Sequence, residues 1–160
     1  MTTLLLETTD KKQVTVDNLI IRDSKVLTHA FEVSSKEDAN DEAMPVNVSS
    51  AALDRIKTFT DFYKDAPVYV VPKDFLEHQR EEKDSKVMKW LAGLDHDDFM
   101  ELHEAVNFFN MPRLTDAMVI CLLFHTQTGD IKEIRKTFGM RTNVTAEEEK
   151  AHKARFEKQV

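Results

Sequence analysis

From Ala117 to Phe124 every residue is apolar, and a helix that is hydrophobic all round has to be enclosed by protein on most sides. The run is far too short to cross a bilayer, which takes about 20 apolar residues. It predicts a packed interior helix and no membrane partner. The chain has material to enclose that helix: of 160 residues, 41% are hydrophobic and 32% charged, a composition that folds. The length suits one domain, or one domain with a long appendage. Lys+Arg 22 against Asp+Glu 29 gives a net charge of -7. A surface of that sign repels a polyanion, which sets nucleic acid aside as a partner. Only 3 glycines are present, and neither G-x-x-x-x-G-K nor G-x-G-x-x-G occurs, so the standard phosphate-cradling loops are absent. Cys121 is the single cysteine and cannot form an internal disulfide, and Met1 to Glu7 lacks the basic-then-apolar pattern of a secretory leader. Together these predict a cytoplasmic and nuclear protein.

Along the chain, Leu4 to Glu7 and Gln13 to Val16 alternate around the polar Thr9 to Lys12, which predicts two short strands joined by a hairpin loop. Ser24 is positioned to cap a helix carrying Val26, Leu27, Ala30 and Phe31 on one face and ending near Val33. Residues 34 to 43 are charged and almost without large apolar side chains, the pattern of a solvated loop. Met44 to Val48 reads as a short strand with Pro45 near its start. Ser49 opens a helix whose stripe is Ala52, Leu53, Ile56, Phe59, Thr60 and Tyr63. Ala66 to Pro72 is bracketed by prolines and should run extended, and residues 73 to 86 are a charged linker or surface excursion.

The second half predicts short helices. Val87 to Ala92 is one turn or two; Asp95 caps a helix with Phe99, Leu102, Val106 and Phe109 on one side; Asn110 caps the next, with Pro112 at its start. Asp130 caps a helix bearing Ile131, Ile134 and Phe138 that Gly139 stops, with Met140 making the contact that accompanies a glycine stop. Thr145 and Glu148 form a capping box for a last helix. Its only apolar anchors are Ala151, Ala154 and Phe156, too few for independent stability.

No coherent catalytic or metal-binding set emerges. Asp95 to Asp98 gathers acids at a helix start, where the macrodipole favours them, and adjacent helical residues point apart. His96 and His103 have no third ligand at a zinc spacing. Cys121 lies in the apolar run and should be a buried thiol of raised pKa. Glu147 to Glu149 is an acidic first turn. Lys132, Arg135 and Lys136 form a basic patch that suits either an acidic partner or solvent. Met100, Leu114, Met118, Leu122, Ile131, Ile134, Phe138 and Met140 sit on short helices, either within one packed core or as an uncovered apolar surface of the kind that marks a partner site.

Several of these segments, taken in order, resemble a known family. Met44-Pro45-Val46-Asn47-Val48 with the helix through Tyr63, Leu94-Asp95, Glu101-Leu102, Ala105-Val106-Asn107-Phe108, Glu133 to Phe138 and Thr145 to Glu149 are similar to the Skp family of SCF ubiquitin ligase adaptors. The match is collinear over nearly the whole chain, and I-R-K-T-F followed by T-x-E-E-E is its most specific part. Elongin-C-like proteins share the first part but stop without the extension. The resemblance implies an α+β class: a BTB/POZ domain over residues 1 to 111 and F-box-binding helices over 112 to 160. It also implies a non-catalytic adaptor without cofactor or metal, whose partners are a cullin, through Asn107 and Phe108, and F-box proteins. The implied F-box residues are Met100, Leu114, Met118, Leu122, Ile131, Ile134, Phe138, Met140 and Phe156. The chain departs from the family pattern at three places. Lys158 stands where the family has a tryptophan, with Phe156 nearby; Val87 stands at another tryptophan position, with Trp90 replacing a phenylalanine; and Asn107-Phe108 replaces an asparagine-tyrosine pair. These departures keep open an alternative, a structural protein that forms a homodimer through its BTB surface in an assembly outside the ligase.

Overall fold

The computed structural model describes residues 3–34, 43–73, 83–127, 129–141, 143 and 145–157. Most of the expected loop at 34 to 43 and of the charged linker at 73 to 86 lies outside them. So do Lys158 and the side chain of Phe156. Among the described residues the protein is α+β, with a small three-stranded sheet and eight helices. These belong to two compact units, Met1–Phe124 and His125–Val160.

In the first unit, β1 (Leu4–Glu7) pairs antiparallel with β2 (Gln13–Val16), with Leu6 opposite Val14. Lys11 takes a positive φ of 61° in the connecting turn, and the Thr8 hydroxyl donates to the Lys12 carbonyl at 3.0 Å. The strand expected over Met44 to Val48 is shorter. As β3 (Met44–Pro45) it pairs parallel with β1 on the side away from β2, and Val46 continues the contact through its N–H to the Glu7 carbonyl. Pro45 supplies no donor, which limits the ladder.

A helix that the sequence reading passed over follows β2. It is α1 (Asn18–Asp23), capped by the Asp17 carboxylate, which accepts from the N–H groups of Leu19 and Ile20. Ser24 then starts α2 (Lys25–Ser34): its hydroxyl accepts from the Leu27 N–H and donates to the Phe109 carbonyl at 2.7 Å. This buried serine therefore joins two helix ends far apart in sequence.

The expected stripe on α3 (Ser50–Phe62) is buried at Ala52, Leu53, Ile56, Phe59 and Thr60. The short helix α4 (Lys86–Ala92), capped by Ser85, buries Val87, Met88 and Leu91. Trp90 is half-buried, its ring 6.4 Å from Phe59 and 6.0 Å from Phe62. Asp95 caps α5 (His96–Phe109), which buries Leu102, Ala105, Val106 and Phe109.

Asn110 does not cap the next helix as expected. Its left-handed backbone, φ 48°, closes α5, and Met111 supplies the first carbonyl of α6 (Pro112–Thr126), accepting from Thr115. An asparagine tolerates that conformation, and Pro112 in the first turn has no N–H to leave unpaired. Within the apolar run Ala117, Met118, Ile120 and Cys121 are buried, while Val119 is exposed, so enclosure is less than complete. Because α6 contributes Leu114, Ala117, Met118, Ile120 and Cys121 to the core, the first compact unit extends to Phe124, beyond the boundary anticipated at 111.

The second unit holds α7 (Ile131–Thr137) and α8 (Ala146–Glu157). None of the side chains described in it is buried.

Candidate partner-binding surfaces

On α5, two faces are spoken for. Leu102, Val106 and Phe109 point into the core. Asp98 and Glu101 both bind Arg55 of α3, Glu101 Oε2 accepting from Nη1 at 2.5 Å, and the Ser49 hydroxyl donates to Glu101 Oε1 at 2.6 Å. Hydrogen bonds from Ser49 and then Arg55 hold the Glu101 carboxyl below its ordinary range. Asn107 and Phe108 lie outside both and are exposed. Phe108 is 41% exposed and rests edge-on against Phe109 at 5.2 Å. Asn107 Nδ2 lies 3.3 Å from His103 Nε2. Met100, 43% exposed, recurs with His103 and Asn107 at helical spacing, so it shares a stripe with the cullin candidates.

In the second unit the local expectations about chain direction hold. Asp130 caps α7 by accepting from Lys132 N–H. Gly139, φ 63°, follows its end, with Gly139 N–H to the Lys136 carbonyl and Met140 N–H to the Arg135 carbonyl at 2.7 Å. This is the paired stop that a left-handed glycine permits. Thr145 and Glu148 exchange capping contacts, Thr145 N–H donating to Glu148 Oε2 at 2.9 Å and Glu148 N–H to Thr145 Oγ1 at 3.3 Å. That backbone N–H, then Arg141, pulls the Glu148 carboxyl down to about 2. The α7 surface is left open: Ile131 is 59% exposed, Met140 58% and Phe138 39%, with Ile134 half-buried. Lys132, Arg135 and Lys136 lie on the same short helix.

Two of the expected F-box residues are withdrawn by their environment. Leu114 and Met118 are fully committed to the core of the first unit, so neither offers a side chain to a partner. Leu122 is half-buried. Burial raises the Cys121 thiol to about 11, which leaves it un-ionised at neutral pH, as a structural cysteine is. Asp95 serves as a cap and Asp98 as an ion-pair partner. No cluster of three or more metal-ligating side chains exists among the described residues.

The sequence reading missed the Ser49, Arg55, Asp98 and Glu101 network, and also the anchoring of residues 66 to 72. Arg22 donates to the Ala66 carbonyl at 3.2 Å, Arg113 to the Pro67 carbonyl at 2.5 Å, and the Tyr69 hydroxyl to Asp116 at 2.5 Å. The Arg113 guanidinium lies over the rings of Tyr63 and Tyr69 at 4.7 and 5.3 Å. Such partners are more than forty positions apart, and no local spacing signals them.

No protein-family model matches the chain, and no curated protein shows significant similarity to it.

Proposed function

We propose that the protein is a non-catalytic adaptor with a BTB/POZ domain and a helical C-terminal extension, linking a cullin to F-box substrate receptors in an SCF-type E3 ubiquitin ligase of the cytoplasm and nucleus. The observation that carries the reading is the state of the second unit. Its helices are well capped, yet none of the side chains described in it is buried, and Ile131, Phe138 and Met140 are exposed beside basic side chains. Capping fixes where such helices begin and end but does not stabilise them at this length. An apolar surface of this kind is the complement of a partner helix. The exposed Asn107 and Phe108 support a second contact, an aromatic anchor with a polar rim.

The test is capture by purified partners. Replacing Ile134→Asp with Phe138→Asp should abolish binding of an F-box fragment, since a charge in a desolvated apolar contact is costly. Asn107→Lys with Phe108→Lys should remove a cullin N-terminal fragment. Parental affinity in both variants overturns the reading. The alternative, self-association through the BTB surface outside the ligase, is favoured by Lys158 standing where the family has a tryptophan. It predicts a dimer in sedimentation that the Asn107→Lys, Phe108→Lys variant dissociates, and no cullin capture by the parent.

A further inference from the structure

The side chains of α7 fall into three sectors. Helical spacing puts Ile131, Ile134 and Phe138 on one stripe. Arg135, four residues after Ile131 and three before Phe138, borders that stripe, and Lys132 with Lys136 continues the same flank. Glu133 and Thr137 take the remaining side. The apolar stripe is uncovered, and the cations beside it are equally unspent: among the described residues no ion pair reaches Lys132, Arg135 or Lys136. Two acids of the same unit are engaged elsewhere, Asp130 in capping α7 and Glu148 in bonding Arg141 and Thr145.

The charge here is opposite in sign to that of the rest of the chain. Residues 125 to 160 hold 8 Lys and Arg against 6 Asp and Glu, whereas residues 1 to 124 hold 14 against 23. The acidic excess of the protein therefore lies wholly outside the unit that carries α7, and a partner meeting this helix meets cations.

We propose that α7 docks an amphipathic helix whose apolar stripe is bordered on one side by Asp or Glu. Contact with Ile131, Ile134 and Phe138 would supply the affinity, and the carboxylates would meet Arg135 first, with Lys132 and Lys136 beyond it. Because the cations lie on one flank only, they also fix the direction of the bound helix: turning it end for end would carry its acids to the Glu133 side. Arg135 is the main determinant, since it borders the apolar stripe and is half-buried while both lysines are exposed, and a guanidinium can hold a carboxylate through two parallel N–H bonds. A second copy of α7 is the poorer occupant, as it offers one acid, Glu133, against three cations. The inference rests on the adaptor reading for the identity of the partner, a helix of the F-box receptor.

The probes are two fluorescent helical peptides with the same leucine stripe, one bearing Glu along one flank and the other Lys at those positions, titrated against the full chain by anisotropy. The Glu peptide should bind about 10-fold tighter or more, and the preference should shrink as salt is raised. Lys132→Glu with Arg135→Glu and Lys136→Glu should reverse the order. Acids in the last turn oppose the helix dipole, so a neutral set guards against lost helicity: Gln at all three positions should level the two peptides, Arg135→Gln alone removing most of the preference. Equal affinity for the two peptides, no binding at millimolar concentration, or a preference that survives the neutral set overturns the proposal. So does dimerisation of the peptide-free chain that the neutral set abolishes, or tighter Glu-peptide binding on Glu147→Gln with Glu149→Gln, since the occupant would then be a second copy or the chain's own α8. An F-box fragment that binds the parent and the neutral set equally, but not the Ile134→Asp, Phe138→Asp variant, overturns this proposal and leaves the adaptor reading standing. Selective binding of the Glu peptide beside an F-box fragment that never binds removes the adaptor reading and leaves the acidic helix.

Discussion

The two compact units solve the same problem in opposite ways. In the first, helices are short but interlocked: Phe59, Leu102, Val106 and Phe109 are fully buried together, and side-chain links such as Ser24 to Phe109 and Arg55 to Asp98 and Glu101 cross between elements. In the second, the capping contacts of Asp130, Gly139 and the Thr145 and Glu148 pair each join near neighbours in sequence. Well-formed ends without a buried face show that local sequence signals define a helix, whereas packing stabilises it.

The sharpest way to break this contrast is a cavity in the first unit. Phe59→Ala should destabilise the protein by about 3–5 kcal/mol, lowering the midpoint of urea unfolding, whereas Phe138→Ala should leave that midpoint unchanged. Equal effects would mean that both aromatics belong to one cooperative core.

A smaller effect is expected at the Arg55 network. Arg55→Ala should cost about 1–3 kcal/mol at neutral pH, by removing charge-assisted hydrogen bonds. Because the folded-state pKa of Glu101 is held below its ordinary 4.5, its contribution is present above that value and is lost as pH falls through the lowered one. Urea unfolding at stepped pH should therefore show a steeper loss in acid for the parent than for Glu101→Gln. Parallel curves would remove Glu101 from the account.

The smallest effect is at the last helix. Thr145→Ala breaks the capping box and should cost about 1 kcal/mol of helix stability, read as lower helicity by circular dichroism, while the unfolding midpoint of the first unit stays put. A matching drop in that midpoint would show that the helix is part of the main fold.

What the sequence made legible follows the same division. Caps at Ser49, Asp95, Asp130 and Thr145 and the stop at Gly139 were readable because each is a contact within a few residues. The stripe of α3 was readable because periodicity reports burial directly. The helix α1 was passed over: Asp17 is as good a cap as Ser49, but only six residues follow before Ser24, too few for a periodic pattern. Asn110 suggests a start in sequence and is a stop, since asparagine suits both a cap and a left-handed residue. Leu114 and Met118 read in sequence as partner-surface residues because an apolar residue on a helix looks alike whether it meets its own core or another protein's. Only the three-dimensional neighbourhood of α6 separates the two. The strap at 66 to 72 was read as extended, but its anchors, Arg22, Arg113 and Asp116, lie on distant helices.

The measurement that bears most directly on the central claim is amide hydrogen exchange across Ile131 to Phe138 and Ala151 to Phe156, in a verified monomer and again with saturating F-box fragment. Near-complete exchange within seconds is expected in the free protein, where none of the side chains described in this unit is buried, and strong protection of both helices in the complex. Strong protection already present in the free monomer, or exchange unchanged by the fragment, would contradict it.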